Sequence, residues 1–449
     1  MTAAYKDRHW TVQPEAEAAL QSILSDLLSQ CPEAERFRRA LLVETAIRLR
    51  DIIDHIATDD DRLFDQIRGA GWTESEDGAW RNAQGFFPPF VPAAQTTIWI
   101  RVESVDRFLA ANRLSGEAEG KQFGPFRRAL AFSGGGCSFG VVERNGHAGF
   151  DVPDVDDGLI RTARLHSQSF RSRRRQFDTV EQGLAHTELL IEQAVADIGP
   201  HWACALWLSA EREYWMQRCR AGRLQKEWQD RAGIGWANID HHTYDGSRKH
   251  FRHTIRILEK LGYELREMLY AGELAGWGSQ VLEQPVIGST IFADVDLAPE
   301  ELTVDFAHAP LPQLARHRRA GVLSELLGES ILEAGLNHVA GLYDQQAMRA
   351  RLEREGINMM SPFSDMPHLY QELTEGDWGP VDPARVDALE AAGHIEASEA
   401  ERLRLEGSIV THLENIERNH GFKGFNREGI DSVLRKLDPR AYLAAEAAA

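Results

Sequence analysis

Two stretches in the second half of the chain repeat one pattern. The first runs IGWANIDHHTY (234–244), SRKHFRHTIRILEKLGY (247–263), ELREMLYAG (264–272), GWGSQVLEQP (276–285) and STIFADVDL (289–297). β-Branched and aromatic residues mark the first, third, fourth and fifth pieces as strands. The second piece spaces its apolar residues as a helix does and stops at Gly262. The order is β-α-β-β-β. It starts again with AGLNHVAGLY (334–343) as a strand, DQQAMRARLEREG (344–356) as a helix ended by Gly356, and INMMSP (357–362) as a strand. A helical insertion follows at roughly 380–405. GSIVTHLENIER (407–418) is then a last strand, and GFKGFNREGIDSVLRKLD (421–438) a closing helix.

Outward from this core, 158–232 is helical, with TVEQGLAHTELLIEQAVADIG (179–199) and ALWLSAEREYWMQRCRAGRLQKEWQDRAG (205–233) both amphipathic. Arg171, Arg173, Arg174 and Arg175 form the one dense basic cluster, read as a solvated or salt-bridged face, with an anionic ligand as the alternative. In 86–157 the strands TTIWIRVES (96–104), FRRALAF (126–132) and CSFGVVER (137–144) enclose one short helix, a candidate degenerate β-α-β-β module. The run Gly134-Gly135-Gly136 lies between two strands, so it is a hairpin turn and not a phosphate cradle. Residues 1–85 read as helical: PEAEAALQSILSDLLSQ (14–30) and PEAERFRRALLVETAIRLRDIIDHIA (32–57) each begin at proline. The expected division is therefore 1–85, 86–157, 158–232, a module pair at 233–440, and a tail at 441–449.

The composition is that of a globular chain: 449 residues, 43% hydrophobic, 27% charged. A net charge of −19 makes nucleic acid a poor partner. No apolar run is long enough for a membrane span, and the polar start does not resemble a secretory signal. Four scattered cysteines fit a reducing cytoplasm. A protein handling a small molecule is expected.

The chemistry concentrates on three residues. Each repeat opens with a strand histidine, His241 in Ile239-Asp240-His241 and His338 in Leu336-Asn337-His338, and the closing strand carries Glu414. A lone strand histidine is most often a core or surface residue. Two at matched places, with an acid on the last strand, suit a facial triad that leaves metal positions open for a chelating substrate and O2, as in non-haem Fe(II) oxygenases. His242 must face the other side of its strand, whereas His412 shares a face with Glu414. His250, His253, His308, His317, His368 and His420 are expected to face solvent.

These residues resemble the vicinal oxygen chelate superfamily. LENIERNHGFKGFNREGIDSVLRKLD is similar to the C-terminal signature of 4-hydroxyphenylpyruvate dioxygenases, whose glutamate binds iron four residues before an arginine, as Glu414 precedes Arg418. The resemblance implies His241, His338 and Glu414 as ligands, Phe422 or Phe425 beside the substrate, and a degenerate, metal-free pair of modules in the N-terminal half. The helical segments and Leu282-Glu283-Gln284 also resemble the 2-oxoadipate dioxygenase/decarboxylase (hydroxyglutarate synthase) family. That likeness implies Glu283 as an alternative metal ligand or a hydrogen-bonding partner of one. Its H-x-x-x-R pattern meets Arg101 but finds Thr97 where the histidine would stand. Arg101, Gln280 and Gln284 are candidates, by strand position, for a substrate's distal group.

The expectation is an α+β Fe(II) dioxygenase acting on a small 2-oxo acid with O2. Ring-cleaving dioxygenase, isomerase or lyase chemistry on the same fold is an alternative, as is non-catalytic small-molecule binding.

Overall fold

The computed structural model describes residues 9–273, 275–426 and 437–440. Helices α1 (Pro14–Ser29) and α2 (Pro32–Thr45) begin at their prolines, whose missing N–H is one a helix does not need there. α2 stops where Ala46 turns left-handed, at φ 60°. The chain then extends into β1 (Ile53–Thr58), so the helix expected through residue 57 ends early. Glycine normally signals such a stop, and alanine gives no warning of it.

β1 opens a sheet that the sequence hid in part. Asp60 caps α3 (Asp61–Gly69). β2 (Thr73–Glu74), β3 (Trp80–Arg81), β4 (Phe90–Pro92) and β5 (Thr97–Arg101) follow, then α4 (Val105–Ala111), β6 (Phe126–Ser133) and β7 (Ser138–Arg144). The order across the sheet is β2-β3-β4-β1-β5-β7-β6. β1 runs parallel to β4 and β5 parallel to β7, while β1 and β5 meet antiparallel at the centre. Residues 53–144 thus form a pair of modules, β-α-β-β-β and β-α-β-β. The helical region expected over 1–85 holds three of the seven strands of this sheet. The three-glycine run turns β6 into β7, with Gly134 N donating to Cys137 O at 3.0 Å.

Four helices separate this sheet from the next: α5 (Asp157–Ser172), α6 (Val180–Ile198), α7 (Pro200–Met216) and α8 (Arg220–Arg231). α7 buries Trp202, Trp207 and Trp215. The arginine cluster divides: Arg171 and Arg174 are exposed, Arg171 pairing with Glu213, whereas Arg173 and Arg175 turn inward and both pair with the buried Glu211, at 3.0 and 2.6 Å.

The second sheet carries the pattern read first. Its elements are β8 (Ile239–Asp245), α9 (Phe251–Lys260), β9 (Glu264–Tyr270), β10 (Trp277–Gln284), β11 (Ser289–Asp296) and α10 (Arg319–Leu327). β12 (His338–Leu342), α11 (Gln345–Arg354), β13 (Ser364–Met366), β14 (Leu369–Leu373) and β15 (Asp377–Gly379) follow. The insertion is α12 (Pro383–Ala391) and α13 (Ala397–Glu406), before β16 (Ser408–Arg418). The order is β13-β14-β16-β12-β8-β11-β10-β9, with β15 also on β16. β8 is parallel to β11, β12 is parallel to β16, and β8 meets β12 antiparallel. The protein is α+β, with two β-α-β-β-β modules joined into one sheet where β8 pairs with β12. INMMSP is not a strand: Met359 makes one isolated bridge to Thr374, and the pairing strands lie just beyond it. Most of the expected closing helix (427–436) and the tail (441–449) fall outside the described residues. One hydrophobic core runs from α1 through both sheets, tying the two halves together.

Candidate metal centre

The strand register brings three donors to one face. Ala340 on β12 lies opposite His241 on β8 and, on its other side, opposite Glu414 on β16. Its methyl group is small enough for both longer side chains to meet above it. His338, two residues earlier, points to the same face. His241 Nε2 lies 3.1 Å from Glu414 Oε2, and His338 Nε2 lies 3.0 Å from the same oxygen. Ligands held ~2.1 Å from one ion at near-right angles stand ~3.0 Å apart, so the donor spacing fits a divalent metal.

His241 and Glu414 are oriented from behind, whereas the side-chain contact of His338 falls on its site-facing Nε2. His241 Nδ1–H donates to Asp240 Oδ2 at 2.8 Å, which leaves Nε2 as the nitrogen facing the site. Asp240 is gripped by Arg418 through Nε at 2.6 Å and Nη2 at 3.0 Å. Arg418 Nη1 also donates to the backbone oxygens of Phe422 and Gly424, fixing the loop after β16. Gln371 Nε2 donates to Glu414 Oε1 at 2.8 Å, so the other carboxylate oxygen is the one turned to the histidines. Thr243 Oγ1 sits 2.6 Å from His338 Nε2.

His241 and Glu414 are each only 3% exposed. Burial pushes the His241 imidazolium down, but the Glu414 and Asp240 carboxylates outweigh it and hold the group at about 9. Burial likewise raises Glu414, and His241 with His338 more than reverse this, taking it well below the usual carboxylate range. Without a metal, the site keeps a positive charge beside Glu414, where a dication would bring its own.

A cavity of about 60 Å3 opens against the donors. Its apolar wall includes Trp277, Phe292, Phe363 and Phe425, and its polar groups are Ser279, Asp294, Gln371 and Asn426. Phe425 stands perpendicular to His241 with ring centroids 5.3 Å apart. Asn426 Nδ2 donates to Phe363 O at 2.8 Å, closing that side. Burial raises the Asp294 carboxyl and the adjacent Asp245 raises it further; Arg319, 2.9 Å away, opposes this and leaves it at about 7.

The structure brings His241, His338, Glu414 and Phe425 together and leaves the other candidates elsewhere. Glu283 lies at the far end of β10, where Lys423 Nζ is 3.1 Å from it. Gln280 Nε2 is spent on the backbone oxygens of Glu267 and Val281, and Gln284 on His201 and Leu261 O. Phe422 packs on His368, with centroids 4.6 Å apart. Arg101 belongs to the first sheet and lines a different cavity. These five positions were read from strand order or short resemblances, and neither specifies register or reach. His242 does face away from the site, and its Nε2 accepts from Arg212 at 3.3 Å. His412 stacks on His338 at 5.0 Å but lies outside the donor group. His317, expected at the surface, is 7% exposed. With Glu325 on α10 and His394 between α12 and α13 it makes the other three-residue group of metal-type donors among the described residues.

Gln371 and Asp294 went unseen in the sequence. Gln371 lies on β14, a five-residue strand flanked by Pro367 and Gly376, too short to announce itself. Asp294 alternates correctly with Phe292 on a strand already recognised, so its face was available as a signal.

No protein-family model matches the chain, and no curated protein does. Solved structures do resemble it. A triple mutant of 4-hydroxymandelate synthase from Streptomyces coelicolor matches over 75% of this chain and 96% of its own, at 12% identity and a TM-score of 0.30. Methylmalonyl-CoA epimerase from Mycobacterium tuberculosis matches over 41% and 89%, at 14% identity and a TM-score of 0.22. A xylose isomerase-like TIM barrel/4-hydroxyphenylpyruvate dioxygenase fusion protein matches over 89% and 53%, at 13% identity and a TM-score of 0.25. At such identities and superpositions, the chemistry of the centre rests on its own donors.

Proposed function

We propose that this chain is a non-haem Fe(II)-dependent dioxygenase that oxidatively decarboxylates a small 2-oxo acid and hydroxylates the remainder of the same molecule. The observation that carries this is the convergence of two imidazole nitrogens on one carboxylate oxygen at the wall of a small, aromatic-lined cavity. His241, His338 and Glu414 would hold the metal. Fe(II) held there would supply the Lewis acidity and the redox relay through which a 2-oxo acid, losing CO2, delivers its electrons to O2.

The chain's own residues prepare that chemistry. Asp240 fixes the His241 tautomer, and Arg418 keeps Asp240 ionised so that it goes on accepting the Nδ1 proton. Gln371 holds Glu414 by one oxygen and keeps the other directed at the site. Phe292, Phe363 and Phe425 exclude water, which strengthens every charge interaction inside. Asp294, its carboxyl raised to about 7, would in its protonated form offer an O–H to a substrate oxygen where an ionised carboxylate would repel an anion. Ser279 and Asn426 add polar groups on the same wall. At about 60 Å3 the cavity suits a compact substrate.

The test is anaerobic loading with Fe(II), followed by a panel of aromatic and dicarboxylic 2-oxo acids. A visible charge-transfer band on substrate addition, and CO2 released one-for-one with O2 on aeration, are expected. Catechol-dependent O2 uptake without that band would favour ring cleavage. Failure to retain Fe(II) would end the enzyme reading.

A further inference from the structure

A second and much larger cavity, about 720 Å3, lies between the first sheet, helices α5, α7 and α8, and the back of β8. It is the size of a small-molecule site. In a chain of net charge −19, seven of its lining residues are Arg or Lys and four are Asp or Glu. All four acids are already engaged: Glu143 with Arg127, Glu213 with Arg171, and both Glu103 and Asp230 with Lys226. Arg144 is held by Asp54 at 2.6 Å. Arg101 is left 3.6 Å from that same, already occupied Asp54. Among the described residues, neither Arg107 nor Arg212 has a carboxylate in ion-pair reach.

Arg212 is the strongest of these signals. Burial pushes its guanidinium below its usual range. Its Nη1 donates to His242, and its Nε is buried with no partner. Glu103 attracts this half-buried cation only from beyond ion-pair distance and is itself held by Lys226, so an anion delivered to Arg212 would supply the direct partner it lacks. Trp236, Phe123 and Met216 add apolar wall, so the space fits an organic molecule better than a bare ion.

We propose that this cavity is a second ligand site, for a small organic polyanion whose carboxylate or phosphate groups pair with Arg212, Arg107 and Arg101. The ligand would sit behind β8, since His242 lines this cavity while His241 lines the metal-side cavity. The site is independent of what occupies the metal centre.

The test is isothermal titration of the full chain with citrate, 3-phosphoglycerate and inorganic phosphate, each on wild type, Arg212→Met, Arg107→Ala and His241→Ala. Citrate or 3-phosphoglycerate should bind: binding of citrate shows that carboxylates suffice, and binding of 3-phosphoglycerate alone shows that a phosphate is required. Each arginine variant should weaken that binding about tenfold or more, the weight of a charge-assisted contact. His241→Ala should leave it unchanged, which separates this site from metal chelation. Arg107 is exposed, so its variant decides the matter if Arg212→Met does not fold. Absence of organic-anion binding, binding indifferent to both arginines, or binding lost with His241 would overturn the proposal.

Discussion

Ile53-Asp54-His55 on β1 and Ile239-Asp240-His241 on β8 occupy the same place in two sheets of the same plan. In both, the histidine Nδ1 lies 2.8 Å from the preceding aspartate. In both, that aspartate is clamped two-handed by an arginine at the end of the last strand, Arg144 or Arg418. In both, the arginine also donates to two backbone oxygens of the following loop and lies over a phenylalanine, Phe150 or Phe425. The register then separates them. Thr97 stands where the second sheet has His338, Gly140 where it has Glu414, and Trp99 where it has Ala340. The Trp99 ring fills the space of the missing carboxylate, since a Cβ on Gly140 would collide with it. The scaffold that orients a ligand survives in both halves, and the ligand set in only one.

Removing a donor should have the largest effect. His241→Ala or Glu414→Ala should reduce bound Fe(II) from one per chain to none by elemental analysis after dialysis, while His55→Ala leaves the content unchanged. Metal loss in the His55 variant would break the comparison.

Rebuilding the first sheet should have the next largest. The triple variant Thr97→His, Trp99→Ala, Gly140→Glu should raise the metal content toward two per chain, with the new site the weaker because its surroundings are not shaped to hold it. Unchanged stoichiometry in a folded variant would show that register equivalence alone does not make a site.

The shared ion pair should behave differently in the two halves. Asp240→Asn should weaken metal affinity by ~10–100-fold, as loss of a ligand's supporting partner does. Asp54→Asn should leave affinity alone and instead cost about 3–5 kcal/mol of stability, because Arg144 remains buried without its acid. Chelator competition and denaturant unfolding read the two effects separately.

The smallest effect concerns Asp294, which has no counterpart on β4, where Phe90, Val91 and Pro92 stand. Its folded value, at about 7, lies above the unfolded one. The folded state therefore binds the extra proton, and this contribution to stability is present at low pH and lost as pH rises toward 7. Asp294→Asn should flatten that decline, read as Tm against pH from about 4 to 7. An equally steep decline in the variant would place the titration elsewhere.

The sequence by itself determined the β-α-β-β-β repeat, because β-branched and aromatic residues on β8, β10 and β11 and glycine stops at 262 and 356 are local signals. It also singled out His241, His338 and Glu414, because each is a donor-type residue at a repeated or terminal strand position. It did not disclose β1, hidden behind a left-handed alanine, although Ile53-Asp54-His55 repeats the letters of Ile239-Asp240-His241. Nor did it exclude Glu283 or Gln280, since a strand pattern gives the face of a residue but not how far along the sheet its partner lies. Only the tertiary structure decided these points. Parallel pairing of β12 with β16, and antiparallel pairing with β8, set Ala340 between two donors, and that adjacency comes from residues far apart in the chain.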